Sequence, residues 1–164
     1  MSKAKIAILV GSDSDVVTMQ VGTKILKELK IPYEFHIYSA HRTPKETLQF
    51  SQSAQKRGIS VIIAGAGMAA HLAGVIASHT LLPVIGVPME GKLQGLDALL
   101  STVQMPKGIP VGTMAIGKTG AANGCLFAAQ ILALQDRALL HRLQNYRQKM
   151  TQEVLRKNEK LHSK

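Results

Sequence analysis

Tryptophan is absent, and three Tyr and three Phe are the only aromatic residues among 164. The core must therefore be built from Ile, Leu, Val, Ala and Met, small enough for tight helix-on-sheet packing. The same scarcity removes the aromatic platforms on which single-stranded nucleic acids stack. A single cysteine excludes an internal disulfide. Because Cys125 lies in the apolar stretch 125–134, it reads as a buried core thiol. No apolar run approaches the ~18 residues of a membrane span. Met1-Ser2-Lys3-Ala4-Lys5 leads into a short strand-like run without a signal-peptide cleavage pattern, so a cytoplasmic protein with no membrane partner is expected. The histidines and the cysteine show neither His-x-x-x-His nor Cys-x-x-Cys spacing, and no metal is expected.

Acidic residues are also scarce, ten against twenty Lys and Arg, for a net charge of +10. Residues 136–164 carry eight of the basic and three of the acidic residues, so half of the excess lies in the tail. There the charges alternate with Leu139, Leu143, Tyr146, Met150 and Val154 at helical spacing. That is the pattern of an amphipathic helix with a solvated basic face, rather than of a nucleic-acid site.

What remains alternates between strand and helix. Lys5 to Val10 reads as a buried strand, and Gly11-Ser12-Asp13-Ser14-Asp15 opens a helix to about Lys30. Tyr33 to Tyr38 forms a second strand, after which Thr43-Pro44 starts a helix with Pro in its first turn. Gly58 ends that helix. Ser60 to Ala64 is a third strand, and Gly65-Ala66-Gly67 leads into a helix over Ala69 to His79. Leu82 to Val87 makes a fourth strand, followed by a polar loop from Met89 to Gly95 and a helix near Leu96 to Gln104. A fifth strand is expected at about Val111 to Ile116, then helices at Ala121 to Leu134 and about Asp136 to His162. Strands apolar throughout, alternating with helices, indicate an α/β fold: a parallel sheet in a three-layer αβα sandwich within one domain, residues 1–164. The long terminal helix exceeds what such a layer needs, and it is expected to pack on another subunit.

Three loops fall at the C-terminal ends of the first three strands, where open α/β sheets bind ligands. In the first, helix-opening N–H groups with the Ser12 and Ser14 hydroxyls suit a phosphate, and Asp15 suits the neutral hydroxyls of a ribose. A purely structural use, Ser12 as N-cap and Asp15 as a first-turn acid, explains that loop equally well. The second, Ser39-Ala40-His41-Arg42-Thr43-Pro44, sets a proton carrier beside a planar cation and suggests proton transfer on an anionic substrate. In the third, Gly65-Ala66-Gly67 lets backbone approach a flat ligand, and His71 is placed within the first helical turns, as a ligand contact or as a buried histidine. His36, in a strand, and His79, near a helix end, read as structural, while His141 and His162 belong to the tail.

Read together, these loops resemble class I N5-carboxyaminoimidazole ribonucleotide mutase, the PurE family of purine synthesis. The resemblance spans residues 6 to about 136. It rests on Gly11-Ser12-Asp13-Ser14-Asp15, on Ser39 to Pro44, on Ala64-Gly65-Ala66-Gly67-Met68-Ala69-Ala70-His71-Leu72, and on Gln104-Met105-Pro106 with Gly108-Ile109-Pro110-Val111. It implies a flavodoxin-like sheet assembled as a homo-octamer, a ribonucleotide substrate, no cofactor, and transfer of a carboxyl group from the exocyclic nitrogen to C4 of an aminoimidazole. By motif, Ser12, Ser14, Ser39 and Arg42 would hold the 5′-phosphate and Asp15 the ribose, with His41 as the proton carrier. Ala66, Gly67, His71 and Leu72 would surround the base and carboxylate.

The sequence departs from that family pattern at several points. Met68 stands where Gly is usual and Ala73 where Pro is common, and Glu90-Gly91-Lys92 and Ala98 replace more typical polar choices. Class II relatives use carbon dioxide and the free amine. They typically carry Lys after the His and an Arg-Ser-Asn run in the third loop, which this chain lacks. Three rival classes remain: a response-regulator-like domain, a basic nucleic-acid module, and a non-catalytic nucleotide or flavin carrier on the same phosphate loop. The first needs an acceptor Asp after the third strand, where Gly65-Ala66-Gly67 supplies none.

Overall fold

The computed structural model describes residues 5–162. Five strands, β1 (Lys5–Val10), β2 (Tyr33–Ile37), β3 (Ile59–Ala66), β4 (Val84–Pro88) and β5 (Gly112–Thr113), form one sheet in the order β2-β1-β3-β4-β5. Every pairing is parallel. The helices are α1 (Val16–Glu28), α2 (Pro44–Ala54), α3 (Leu72–Ala77), α4 (Leu96–Val103), α5 (Gly117–Ala133) and α6 (Arg137–His162). This is the flavodoxin-like order, and its switch point lies between β1 and β3.

Period-two alternation divides the core in two. Ile6, Ile8 and Val10 of β1 pack beneath α1 and α5, and Ala7 and Leu9 face the cluster of Phe50, Ala54, Leu72 and Ile76 from α2 and α3. Both faces of β1 are fully buried, which is why the strand is apolar at every position after Lys5. Each large aliphatic side chain removed from water in this way contributes roughly 1.5–3 kcal/mol.

Small residues bring α1 and α5 together. A Cβ on Gly22 would stand 2.5 Å from both the Ala121 carbonyl oxygen and the Cys125 sulfur. Cys125 is fully buried, as its sequence context indicates, and burial pushes its thiol up to about 12.

The fifth strand is shorter than expected. Only Gly112 and Thr113 pair with β4, although the Met114 N–H still donates to the Gly86 carbonyl. The chain then turns early into α5, which starts at Gly117 rather than Ala121, because the Ala115 carbonyl lies where a side chain on Gly120 would be. α3 is also shorter than the expected 69–79 span, and β3 runs on through Gly65 and Ala66.

α6 is a helix of 26 residues, about 39 Å long. Leu139 and Leu143 are buried and Tyr146 packs on the core. Arg142 Nε donates to the Leu29 carbonyl at 2.8 Å, and Lys149 pairs with Glu28 at 3.0 Å. Beyond Lys149 the apolar Met150, Val154, Leu155 and Leu161 are all exposed. No helix among the described residues is long and apolar enough to cross a membrane.

Candidate active site

The loops that follow β1, β2 and β3 converge on one cleft of about 630 Å³. Its walls include all ten residues singled out in the sequence: Ser12, Ser14, Asp15, Ser39, His41, Arg42, Ala66, Gly67, His71 and Leu72. A larger groove of about 870 Å³ lies along residues 77–85 and 108–112, at the opposite ends of the strands, and holds none of them.

The first loop closes on itself. Ser12 caps a 3-10 turn over Asp13–Asp15 that precedes α1. The Ser12 hydroxyl (2.9 Å) and the Ser14 N–H (3.0 Å) both donate to Asp13 Oδ1. Those bonds, the Ser12 hydroxyl first, hold the exposed Asp13 carboxyl below its ordinary value. An anion therefore already sits on donors of the kind a phosphate uses. Asp15 is half-buried and makes no capping bond from its side chain to α1, so its carboxylate is not consumed structurally. Burial raises it above the ordinary carboxylate value, partly offset by the Ser14 hydroxyl.

The second loop is held by its own side chains. Thr43 Oγ1 accepts the Ser39 N–H at 2.8 Å and donates to the Ser39 carbonyl at 3.0 Å, while Ser39 Oγ accepts the Arg42 N–H at 3.2 Å. Pro44 occupies the first turn of α2, and the buried Thr47 hydroxyl donates to the Thr43 carbonyl. The loop therefore leaves β2 in a fixed direction. Arg42 Nη2 reaches back to the Gly11 carbonyl at 2.8 Å, bridging the ends of β2 and β1. Its other donors remain available for an anion.

The third loop differs from expectation in one respect: His71 precedes α3 as its N-cap residue, and it is exposed rather than within the helix. Met68 explains the displacement. It adopts φ +54°, a left-handed conformation that strains a residue with a Cβ and that glycine takes freely. The tight turn this produces delays the helix. Its side chain lines the cleft and is largely exposed to solvent.

The turn brings His71 to His41. Nδ1 of His71 lies 2.9 Å from Nε2 of His41, with the rings nearly perpendicular. One ring donates and the other accepts, so the two nitrogens share one proton.

The fourth wall was not singled out from the sequence as part of the site: Glu90, Gly91 and Lys92, after β4. The Met89 N–H donates to the Ala66 carbonyl at 2.9 Å and ties this segment to the third loop. Its one legible signal was position, a charged tract at the C-terminal end of a central strand. His36, read from the sequence as structural, is stacked on Tyr38 and tilted against Phe50. Among the described residues no group of three or more His, Cys, Asp or Glu is arranged to hold a metal ion.

A parallel β2-β1-β3-β4-β5 sheet with a polar, histidine-containing cleft at its switch point defines a flavodoxin-like α/β protein with a small-molecule site. Residues 5–153 match the family described as AIRC, AIR carboxylase, and the chain belongs to that family. It is 59% identical over 157 residues to the N5-carboxyaminoimidazole ribonucleotide mutase of Haemophilus influenzae, covering 94% of this chain and 96% of the relative. The proteins of the same name from Escherichia coli K12 and Bacillus subtilis are 54% identical (93% of this chain, 90% of theirs) and 51% identical (95% and 97%). Among solved structures, Treponema denticola PurE superposes with a TM-score of 0.86 at 25% identity, covering 96% of this chain and 98% of its own.

Proposed function

We propose that this protein is an N5-carboxyaminoimidazole ribonucleotide mutase, converting the N-carboxylated ribonucleotide to its C4-carboxylated isomer in purine biosynthesis. The observation that carries the reading is the convergence of Arg42, the serine loop and the His41–His71 pair on one cleft, in a chain 59% identical to a protein of that name.

The 5′-phosphate lies between the first loop and Arg42, taking over the Ser12 and Ser14 donors from Asp13, with Ser39 beside it. Asp15 accepts from the ribose hydroxyls. The base and carboxylate rest on Ala66, Gly67, His71 and Leu72. His41, as imidazolium, protonates the exocyclic nitrogen while the N–C bond of the carbamate breaks, giving the free amine and carbon dioxide. C4 of the electron-rich ring then attacks the carbon dioxide. Neutral His41 removes the C4 proton, which restores the aromatic ring and returns His41 to its starting state. No proton is gained or lost overall, and the pathway through His41 calls on no cofactor. The retained carbon dioxide must react before it escapes, a proximity requirement that the backbone of the third loop serves.

The direct carboxylase alternative, from free amine and carbon dioxide, is less favoured, because Arg42 and Met68-Ala69-Ala70-His71 stand where class II enzymes differ. A homo-oligomer, an octamer as the resemblance implies, is part of the proposal; support comes from the exposed apolar Met150, Val154, Leu155 and Leu161 of α6. So is a cytoplasmic location. Incubation with the N-carboxylated ribonucleotide, followed by formation of the C4-carboxylate, tests the activity; an unchanged substrate would refute it.

A further inference from the structure

We infer that Lys92 is a specificity-determining residue of the cleft, and that its ammonium group binds the carboxylate that migrates during the reaction. The inference rests on the mutase reading above.

The substrate carries two anionic groups at opposite ends, a phosphate and a carboxylate. Arg42 stands at the end of β2, at one edge of the sheet, and is bonded to Gly11 at the end of β1. That cation belongs to the phosphate end. The sheet order puts the loop after β4 on the other side of β3 from β1 and β2. Lys92 therefore enters the cleft from the side of Ala66, Gly67 and His71, where the carboxylated base is placed. The two cations that line the cleft, Arg42 and Lys92, lie toward opposite ends of it, as the two anions of the substrate do.

Lys92 is also electrostatically unspent. It is exposed and makes no hydrogen bond or ion pair among the described residues. The nearest acid in sequence, Glu90, is turned elsewhere: a Cβ on Gly117 would stand 2.7 Å from Glu90 Oε1, so that carboxylate lies on the backbone at the start of α5. Negative charge is favoured at such a helix N-terminus. Glu90 shares the cleft wall with Lys92 but makes no ion pair with it, and the Lys92 charge is left for a ligand. An ammonium on a flexible stem suits a carboxylate that moves from nitrogen to carbon, because it can follow the group without a fixed fork geometry.

The test compares two ligands on the full-length protein: the N-carboxylated ribonucleotide and the same ribonucleotide lacking the carboxyl group. Lys92→Ala is expected to raise KM for the first by about 10-fold or more, the range of a charge-assisted hydrogen bond. It should leave the dissociation constant of the second within about twofold, and Lys92→Arg should restore most of the loss. Equal weakening of both ligands, or of neither, overturns the inference. Failure of the unaltered protein to turn over the carboxylated ligand would instead overturn the mutase reading, so the two failures are distinguishable.

Discussion

Nε2 of His41 and Nδ1 of His71 share one hydrogen bond at 2.9 Å, although 30 residues and two strand ends separate them. His41 leaves the end of β2 on a loop locked by Thr43, whereas His71 is delivered by the left-handed turn at Met68. The contact fixes the orientation of the His41 ring. His71→Leu is therefore expected to lower kcat by up to about 100-fold, the effect of misplacing a reacting group, together with a rise in KM from its lost contact with the base. His71→Asn, whose side chain can still hydrogen-bond His41, should recover part of the loss. Steady-state kinetics on both variants checks this; equal losses would make His71 a substrate contact only.

Asp15 gives a pH-dependent prediction. Burial raises its folded carboxyl above the ordinary value of 3.8, so folding favours the protonated form. Its contribution to stability is full below the unfolded value and is lost as pH rises through the folded one. At neutral pH the ionised, half-buried carboxylate thus works against the ligand-free fold. Asp15→Asn should raise the unfolding temperature at neutral pH, with the gain shrinking as pH falls toward 3.8, while substrate affinity drops. Thermal unfolding across that range decides it, and a gain independent of pH would point to another cause.

Gly22 tests how closely α1 packs against α5 within one helical layer. Adding one methyl group there places a carbon against the Ala121 carbonyl and the Cys125 sulfur. Gly22→Ala is expected to destabilise the protein by about 1–3 kcal/mol, despite the better helix propensity of alanine. Urea unfolding measures the change; a stabilised variant would mean that α1 and α5 can separate without penalty.

Much of this arrangement was legible because it is local. The apolar runs of β1, β3 and β4 give way at Gly11, Gly67 and Glu90, the alternating edge strand β2 is followed by the Ser39 loop, and parallel topology gathers those ends on one side of the sheet. The resemblance then gave roles to the residues of three loops. Features set by tertiary contact were less accessible. Val111 to Ile116 is apolar enough for a long strand, yet the close approach of Gly120 to Ala115 turns the chain away after two paired residues. The helix expected from Ala69 starts late because Met68 takes a conformation usually reserved for glycine, and this moves His71 out of the helix and onto His41. Lys92 belongs to a tract that departs from the family pattern, and its place in the cleft follows from the position of that tract after a central strand.

The central claim is that carboxyl transfer starts from the N-carboxylated ribonucleotide and passes through His41. The most direct measurement supplies that substrate with an isotopically labelled carboxyl group, in excess unlabelled bicarbonate, to the unaltered protein and to His41→Asn. The expected result is a C4-carboxylated product that retains most of its label with the unaltered protein, and no turnover with intact ligand binding for the variant. Product that carries mainly unlabelled carboxyl, or a His41→Asn protein that still turns over substantially, would contradict it.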